Sequence, residues 1–211
     1  MSHRGFWAGV NAGGSKAILG ARATTRSFSF APSVGATVGY NFDRLHGVKA
    51  QVAYEMFSTT RPDQPYNVVT AGLHRTFYGT METSYSQLDA RFMYMLNISN
   101  LWTGYDRRLP FNLYLQGGMV VSSILSETNK LAEGEVMGGT DFDYAGNSSA
   151  GKLGSGLVVG GMASYTLDRH WDVTAEMLGQ YYFGGKFMPY NSTSPLNGFK
   201  LNFGVGMRYN F

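Results

Sequence analysis

The side chains that most often carry chemistry are present here in arrangements that perform little of it. The four histidines are His3, His46, His74 and His170. His46 and His170 stand in the short stretches "DRLHG" and "DRH", and His3 precedes the first patterned segment. Only His74, in "AGLHRTFYG", falls in a long polar link. Nucleophilic catalysis needs a hydroxyl or thiol within hydrogen-bond reach of its base. Ser86 and Ser123 are the hydroxyls to weigh against His74, but serine is common along these segments. The plainer reading of His74 is a solvated loop residue, and no enzyme is expected. The acidic cluster Glu133, Glu135, Asp141 and Asp143 contains "DFD" without the spacing of a calcium loop. With no cysteine in the chain, thiolate sites and disulfides are excluded. Neither a metal nor a cofactor is expected.

A second set of charges is more informative. Lys49, Glu55, Asp89, Arg91, Asp172, Glu176, Lys200 and Arg208 stand at the polar positions of segments whose every second residue is apolar. Four are basic and four acidic. If those positions face a confined interior, an unpaired charge there is costly and a paired, hydrogen-bonded one is tolerable. The balance predicts a salt-bridge network that plugs and stiffens the interior. Neighbouring segments suggest Glu176 with Lys200 or Arg208. The alternative is a narrow gated pore in which rearranged pairs admit ions.

The elements that would position these charges follow from the alternation itself. The closing segment "GFKLNFGVGMRYNF" puts Phe199, Leu201, Phe203, Val205, Met207, Tyr209 and Phe211 on one face and Lys200, Asn202, Gly204, Gly206, Arg208 and Asn210 on the other. The same period-2 pattern predicts eight strands, at about 5–14, 33–42, 48–58, 84–96, 111–125, 151–167, 171–183 and 198–211. Links alternate in length. "DRLHG" and "DRH" are short, whereas about 25 residues separate strands three and four, and again five and six. "NISNLWTGYDRRLP" is long for a turn but belongs by parity to the short-turn side. Short turns at one end and long loops at the other predict an all-β, eight-stranded antiparallel up-and-down transmembrane barrel. Residues 1–211 form one such domain, with residues 1–4 read as a possible addition to the native start.

Composition is consistent with a lipid-facing wall. Among 211 residues the charged share is 15%, aromatics are 15% and glycines number 28. A charged share of about 25% is usual for a soluble domain. No run reaches the ~18 apolar residues of a spanning helix. The polar faces carry glycine, serine and threonine more than the lysine and glutamate of a wetted sheet. The aromatics fall on the apolar register, mostly near strand ends, as interfacial girdles do. A net charge of +3 with scattered basic residues carries no nucleic-acid footprint. "MSHRGFWAGV" lacks the apolar core of a signal peptide, so an exported protein is represented here by its mature form.

The openings "GFWAGVNAGG" and "GATVGYNFD", with the final Phe203, Val205, Met207, Tyr209 and Phe211, resemble the small eight-stranded outer-membrane barrel proteins of Gram-negative bacteria, the OmpA/OmpX/OmpW-like group. The resemblance covers the whole chain. It implies an outer-membrane location, both termini in the periplasm, and a C-terminal signal read by the barrel assembly machinery. Outer-membrane lipid and lipopolysaccharide then become the expected partners. Arg22, Arg26, Arg61, Arg75, Lys130, Lys152 and Lys186, near the outer side, are the candidate contacts to lipopolysaccharide phosphates. Another surface or envelope protein is a further expected partner, through the long loops. The expected role is structural or interactive: membrane stabilisation, adhesion, or anchoring of a surface assembly. A narrow pore is the alternative, and a lipid-modifying enzyme a more distant one.

Overall fold

Segments with period-2 side chains satisfy their backbones by pairing sideways, and here the pairing closes on itself. The computed structural model describes residues 5–18, 27–28, 30–70, 73–103, 110–131, 153–183 and 199–211. In chain order its elements are β1 (Gly5–Ile18), β2 (Ser27–Phe28), β3 (Ala31–Asn41), β4 (His46–Thr70), β5 (Leu73–Asn97), α1 (Ile98–Thr103), β6 (Phe111–Leu131), β7 (Leu153–Thr166), β8 (Trp171–Tyr182) and β9 (Phe199–Asn210). Among the described residues the two-residue β2 pairs with β4, at Thr59 and Thr60. The other strands form the antiparallel ring β1-β3-β4-β5-β6-β7-β8-β9, and β9 returns to β1. This is the eight-stranded up-and-down barrel expected from the alternation. A closed ring leaves no edge for its membrane-depth backbone.

The strands run further than the pattern predicts at one end. The sequence suggests a long loop over residues 59–83, but β4 and β5 continue through them and pair as far as Thr70 with Leu73. Pro62, Pro65 and the glycines of this stretch carry the loop signal, whereas Tyr66, Val68, Val69, Phe77 and Tyr78 are strand formers. A register shift between Arg61 and Gln64 lets Pro62 and Asp63 bulge out of the ladder. Beyond Met81, where the pairing with β6 ends, the hairpin has no lateral neighbour among the described residues. Its free part rises roughly 30 Å at strand geometry. β6 likewise continues to Leu131, into the second expected long link.

Side chains sort by parity. Phe6, Val38, Phe92, Val159, Met177 and Val205 point outward and are exposed. Aromatic rings gather at the short-turn end of this wall: Phe6 on Tyr40 at 4.6 Å, and Tyr209 between Trp171 at 5.1 Å and Phe211 at 5.2 Å. The opposite parity is buried. Ser86 keeps the expected apolar-face register, opposite the outward Met56, but is covered there, beside the step where β6 carries one extra residue, Leu125. Glycine is required where the wall is crossed closely. A Cβ on Gly39 would lie 2.2 Å from the Trp7 ring, and one on Gly13 would lie 1.9 Å from the Phe203 carbonyl oxygen. No described helix is long and apolar enough to cross a membrane. A barrel crosses with its strands instead.

Candidate functional site: a lumen filled with paired charges

The inward register of β4, β5 and β9 brings four charges together near the long-strand end. Arg91 Nη2 donates to Glu55 Oε1 at 2.6 Å and to Asp89 Oδ2 at 2.9 Å. Lys200 Nζ donates to Glu55 Oε2 and to Asp89 Oδ2, each at 2.7 Å. Each cation thus touches both anions, and the cluster is neutral. Lys200 reaches across the barrel, since β9 and β5 lie on opposite walls. Neutral polar groups complete the carboxylates: Ser15 Oγ donates to Glu55 at 3.0 Å, and Gln87 Nε2 and Ser122 Oγ each donate to Asp89 Oδ1 at 2.6 Å. Asp89 therefore accepts these four bonds and a longer one from the Tyr182 hydroxyl at 3.5 Å, the full capacity of a carboxylate. Glu55, Asp89 and Lys200 are 0% exposed.

Closer to the short turns the remaining charges form two separate pairs. Lys49 Nζ donates to Glu176 Oε1, and Gln51 Nε2 approaches Glu176 Oε2 at 3.4 Å. Arg208 Nε donates to Asp172 Oδ2 at 2.5 Å, and its Nη2 reaches Ser164 Oγ at 3.2 Å. The expected partners of Glu176, Lys200 and Arg208, are not the ones it has. In the β8–β9 register Glu176 faces Gly204, while Lys200 faces Gln180 and Arg208 faces Asp172. Each cation is four residues along the ladder from Glu176, roughly 13 Å away. Lys49, on the far wall, is the cation that reaches it.

Aromatic layers pack in the lumen above and below the charges. Phe57, Tyr85, Ile124 and Tyr182 pack over the four-charge cluster, with Lys200 Nζ 5.5 Å from the Phe57 ring and 5.6 Å from that of Tyr182. At the other end Trp7, Met95, Tyr114 and Met162 pack together. Arg208 Cζ lies 5.3 Å from the Trp7 ring and 5.5 Å from the Tyr114 ring. Such cation–π contacts hold a desolvated cation without adding charge. Between these layers a cavity of about 20 Å³ is lined by Trp7, Thr37, Lys49, Thr174, Glu176 and Arg208. That is room for about one water molecule.

The eight lumen charges thus occupy one chamber, in six ion pairs. The other candidates scatter. Phe203, Val205 and Met207 face outward on β9, and Tyr209 and Phe211 join the aromatic band. Arg61, Arg75 and Lys130 lie on the extended parts of β4, β5 and β6, with their side chains outside the described residues. Arg22, Arg26, Lys152, Lys186 and the acidic cluster Glu133, Glu135, Asp141 and Asp143 lie outside them altogether. His74 pairs by its backbone with Val69 in the free hairpin, far along β5 from Ser86. Ser86 is bonded to Ser126 Oγ at 2.5 Å. Among the described residues no group of acids and histidines could hold a metal ion. The lumen groups that sequence reasoning passes over are the neutral ones: Trp7, Tyr114, Phe57, Tyr85, Ser122 and Asn202. Each follows from its strand's parity, but parity alone does not say which inward residue seals and which fills.

No protein-family model and no curated protein matches the sequence. Solved structures do match. The outer membrane protein OprG of Pseudomonas aeruginosa aligns over 99% of this chain and 97% of its own, at 15% identity and a TM-score of 0.52. A major outer membrane protein of Thermus thermophilus aligns over 98% and 99%, at 13% identity and a TM-score of 0.53. Ail, the attachment invasion locus protein of Yersinia pestis, aligns over 97% and 99%, at 10% identity and a TM-score of 0.48. Identities this low speak to architecture, and with the closed ring of strands they lead to one conclusion: the chain has the fold of the small eight-stranded outer-membrane β-barrels.

Proposed function

We propose that this chain is a plugged outer-membrane barrel with a structural or interactive role. The short turns lie on the periplasmic side, and the free β4–β5 hairpin is presented at the cell surface. The observation that carries this reading is the lumen. All eight of its charges are engaged in ion pairs between two aromatic layers, and the cavity beside them has a volume of only about 20 Å³. A solute channel needs a continuous wet path, and eight strands enclose a space that side chains can fill. On this plugged reading, what remains available to a partner is the rim. The hairpin that projects past Met81 supports a partner on the surface side: an envelope protein, or lipopolysaccharide met by Arg61, Arg75 and Lys130. During biogenesis the outward Phe203, Val205, Met207, Tyr209 and Phe211 would be read by the assembly machinery.

Planar-bilayer recording of the purified protein tests the plug. The expected outcome is no reproducible channel opening. Regular openings that change when Lys49 or Glu176 is neutralised would overturn the plugged reading in favour of a gated narrow pore.

A further inference from the structure

The short-turn end carries a feature that neither the lumen nor the hairpin uses. α1 follows β5 directly and is anchored on every side. Asn97 Oδ1 caps it by accepting the Asn100 amide at 3.2 Å. Asn97 Nδ2 donates to Asn112 Oδ1 at 3.0 Å, at the start of β6. The Asn97 amide donates to the Leu45 carbonyl at 2.7 Å, and Asn100 Nδ2 donates to the Arg44 carbonyl at 2.8 Å. The helix and the turn at residues 42–45 are therefore one rigid unit. Ser99 Oγ accepts the amide of Leu113, an outward-facing position of β6 two residues inside the strand. That bond sets α1 against the lower margin of the apolar wall.

Two large apolar side chains nevertheless stand free on this anchored helix. Leu101 is 59% exposed and Trp102 is 84% exposed, the highest value among the described large apolar residues. The turn latched to this helix carries a cation, Arg44. Asp43 is taken up by its own turn, its Oδ1 accepting the Leu45 and His46 amides at 2.7 Å each. Among the described residues no carboxylate lies within ion-pair distance of Arg44.

We propose that α1 and the 42–45 turn form one lipid clamp at the short-turn rim, in which Leu101 and Trp102 enter the leaflet and Arg44 takes the headgroup phosphate of an anionic phospholipid. A tryptophan is most stable at the headgroup level, where its ring is apolar and its N–H is wet. Guanidinium and phosphate form charge-assisted bonds of matching geometry. The bond from Asn100 to the Arg44 carbonyl holds the backbone of the cationic turn against the helix that carries the apolar pair. This placement rests on the chain spanning a membrane.

The test uses full-length barrel in vesicles containing brominated lipids. Trp7 is buried in the lumen, so Trp171→Phe leaves Trp102 as the lipid-accessible fluorophore, and Trp102→Phe leaves Trp171. Trp102 should be quenched more by bromines high on the acyl chain than by bromines near its end, and little by aqueous iodide. Brominated phosphatidylglycerol should be enriched around Trp102 about fivefold over brominated phosphatidylcholine. Arg44→Ala should abolish that preference, whereas Arg169→Ala in the opposite turn should leave it. Quenching of Trp171 without quenching of Trp102 would overturn the clamp while leaving the membrane barrel standing, and strong iodide quenching of Trp102 would then point to a soluble partner. Absence of quenching at both would overturn both. A phosphatidylglycerol preference that survives Arg44→Ala would remove Arg44 from the site.

Discussion

The two ends of the lumen hold equal numbers of charges in different ways. Toward the hairpin, Glu55, Asp89, Arg91 and Lys200 interlock so that every cation bonds both anions. Toward the short turns, Lys49–Glu176 and Arg208–Asp172 are independent pairs. The interlocked cluster draws on three strands from opposite walls. Of the simple pairs, Arg208–Asp172 joins directly opposed residues of adjacent strands. Pairing across the barrel makes each charge depend on the closure of the whole ring, whereas pairing along a ladder depends on one strand contact. Lys49–Glu176 also crosses the barrel, but as a single pair, so the interlocked end, with two ionic partners for every charge, should behave as the cooperative part of the interior.

Lys200→Met breaks this comparison hardest. It leaves two fully buried carboxylates with one cation between them, and removal of one partner from such a group costs about 3–5 kcal/mol. Urea unfolding of the reconstituted barrel reads the loss. A much smaller change would mean that the cluster is not cooperative.

The outer face of the same strand supplies a reference. Val205→Arg places a charge against lipid and should cost about 2–4 kcal/mol at mid-bilayer depth. Asn202→Ser, on the inner face nearby, should cost about 1 kcal/mol through its single bond from Arg91. Equal unfolding midpoints for the two variants would contradict the assignment of inside and outside.

Lys49→Met should be milder than Lys200→Met, about 1–3 kcal/mol, because its one partner, Glu176, keeps 11% side-chain exposure and the contact of Gln51. If Lys49 and Lys200 proved equal in the same unfolding assay, the distinction between the two ends would collapse.

The smallest effect is expected outside the lumen. The amides of His170 and Trp171 donate to Asp168 Oδ1 at 2.7 and 2.9 Å, holding its carboxyl below the ordinary value of 3.8. A lowered value in the folded state stabilises above the unfolded value and is lost as pH falls through the folded one. The difference in urea midpoint between wild type and Asp168→Ala should therefore be level at neutral pH and fade below about pH 3.8. A difference that grows on acidification would contradict the turn's role.

Much of this molecule is legible in the sequence because a strand's side-chain period is 2 and cannot be mistaken over a strand as long as β9. Parity puts Phe203, Val205 and Met207 outside and Lys200, Asn202 and Arg208 inside. The hairpin escapes such a reading because prolines and glycines carry a loop signal, and a bulge that tolerates Pro62 leaves no mark in the pattern. α1 is equally hidden. It depends on Asn97, Asn100 and Asn112 finding partners on the neighbouring turn and strand, which a local reading does not contain.

By itself, the order of residues determined which side chains face in, that the inward charges cancel, and that the wall is apolar. Only the tertiary structure decided who pairs with whom. Register places Glu176 opposite a glycine and four residues from either expected cation, and closure brings Lys49 to it from the far wall. Alternation is a property of each strand alone. Partnership across a lumen depends on the stagger of all eight strands at once, because a shift of one residue in any of them would turn its charges toward lipid.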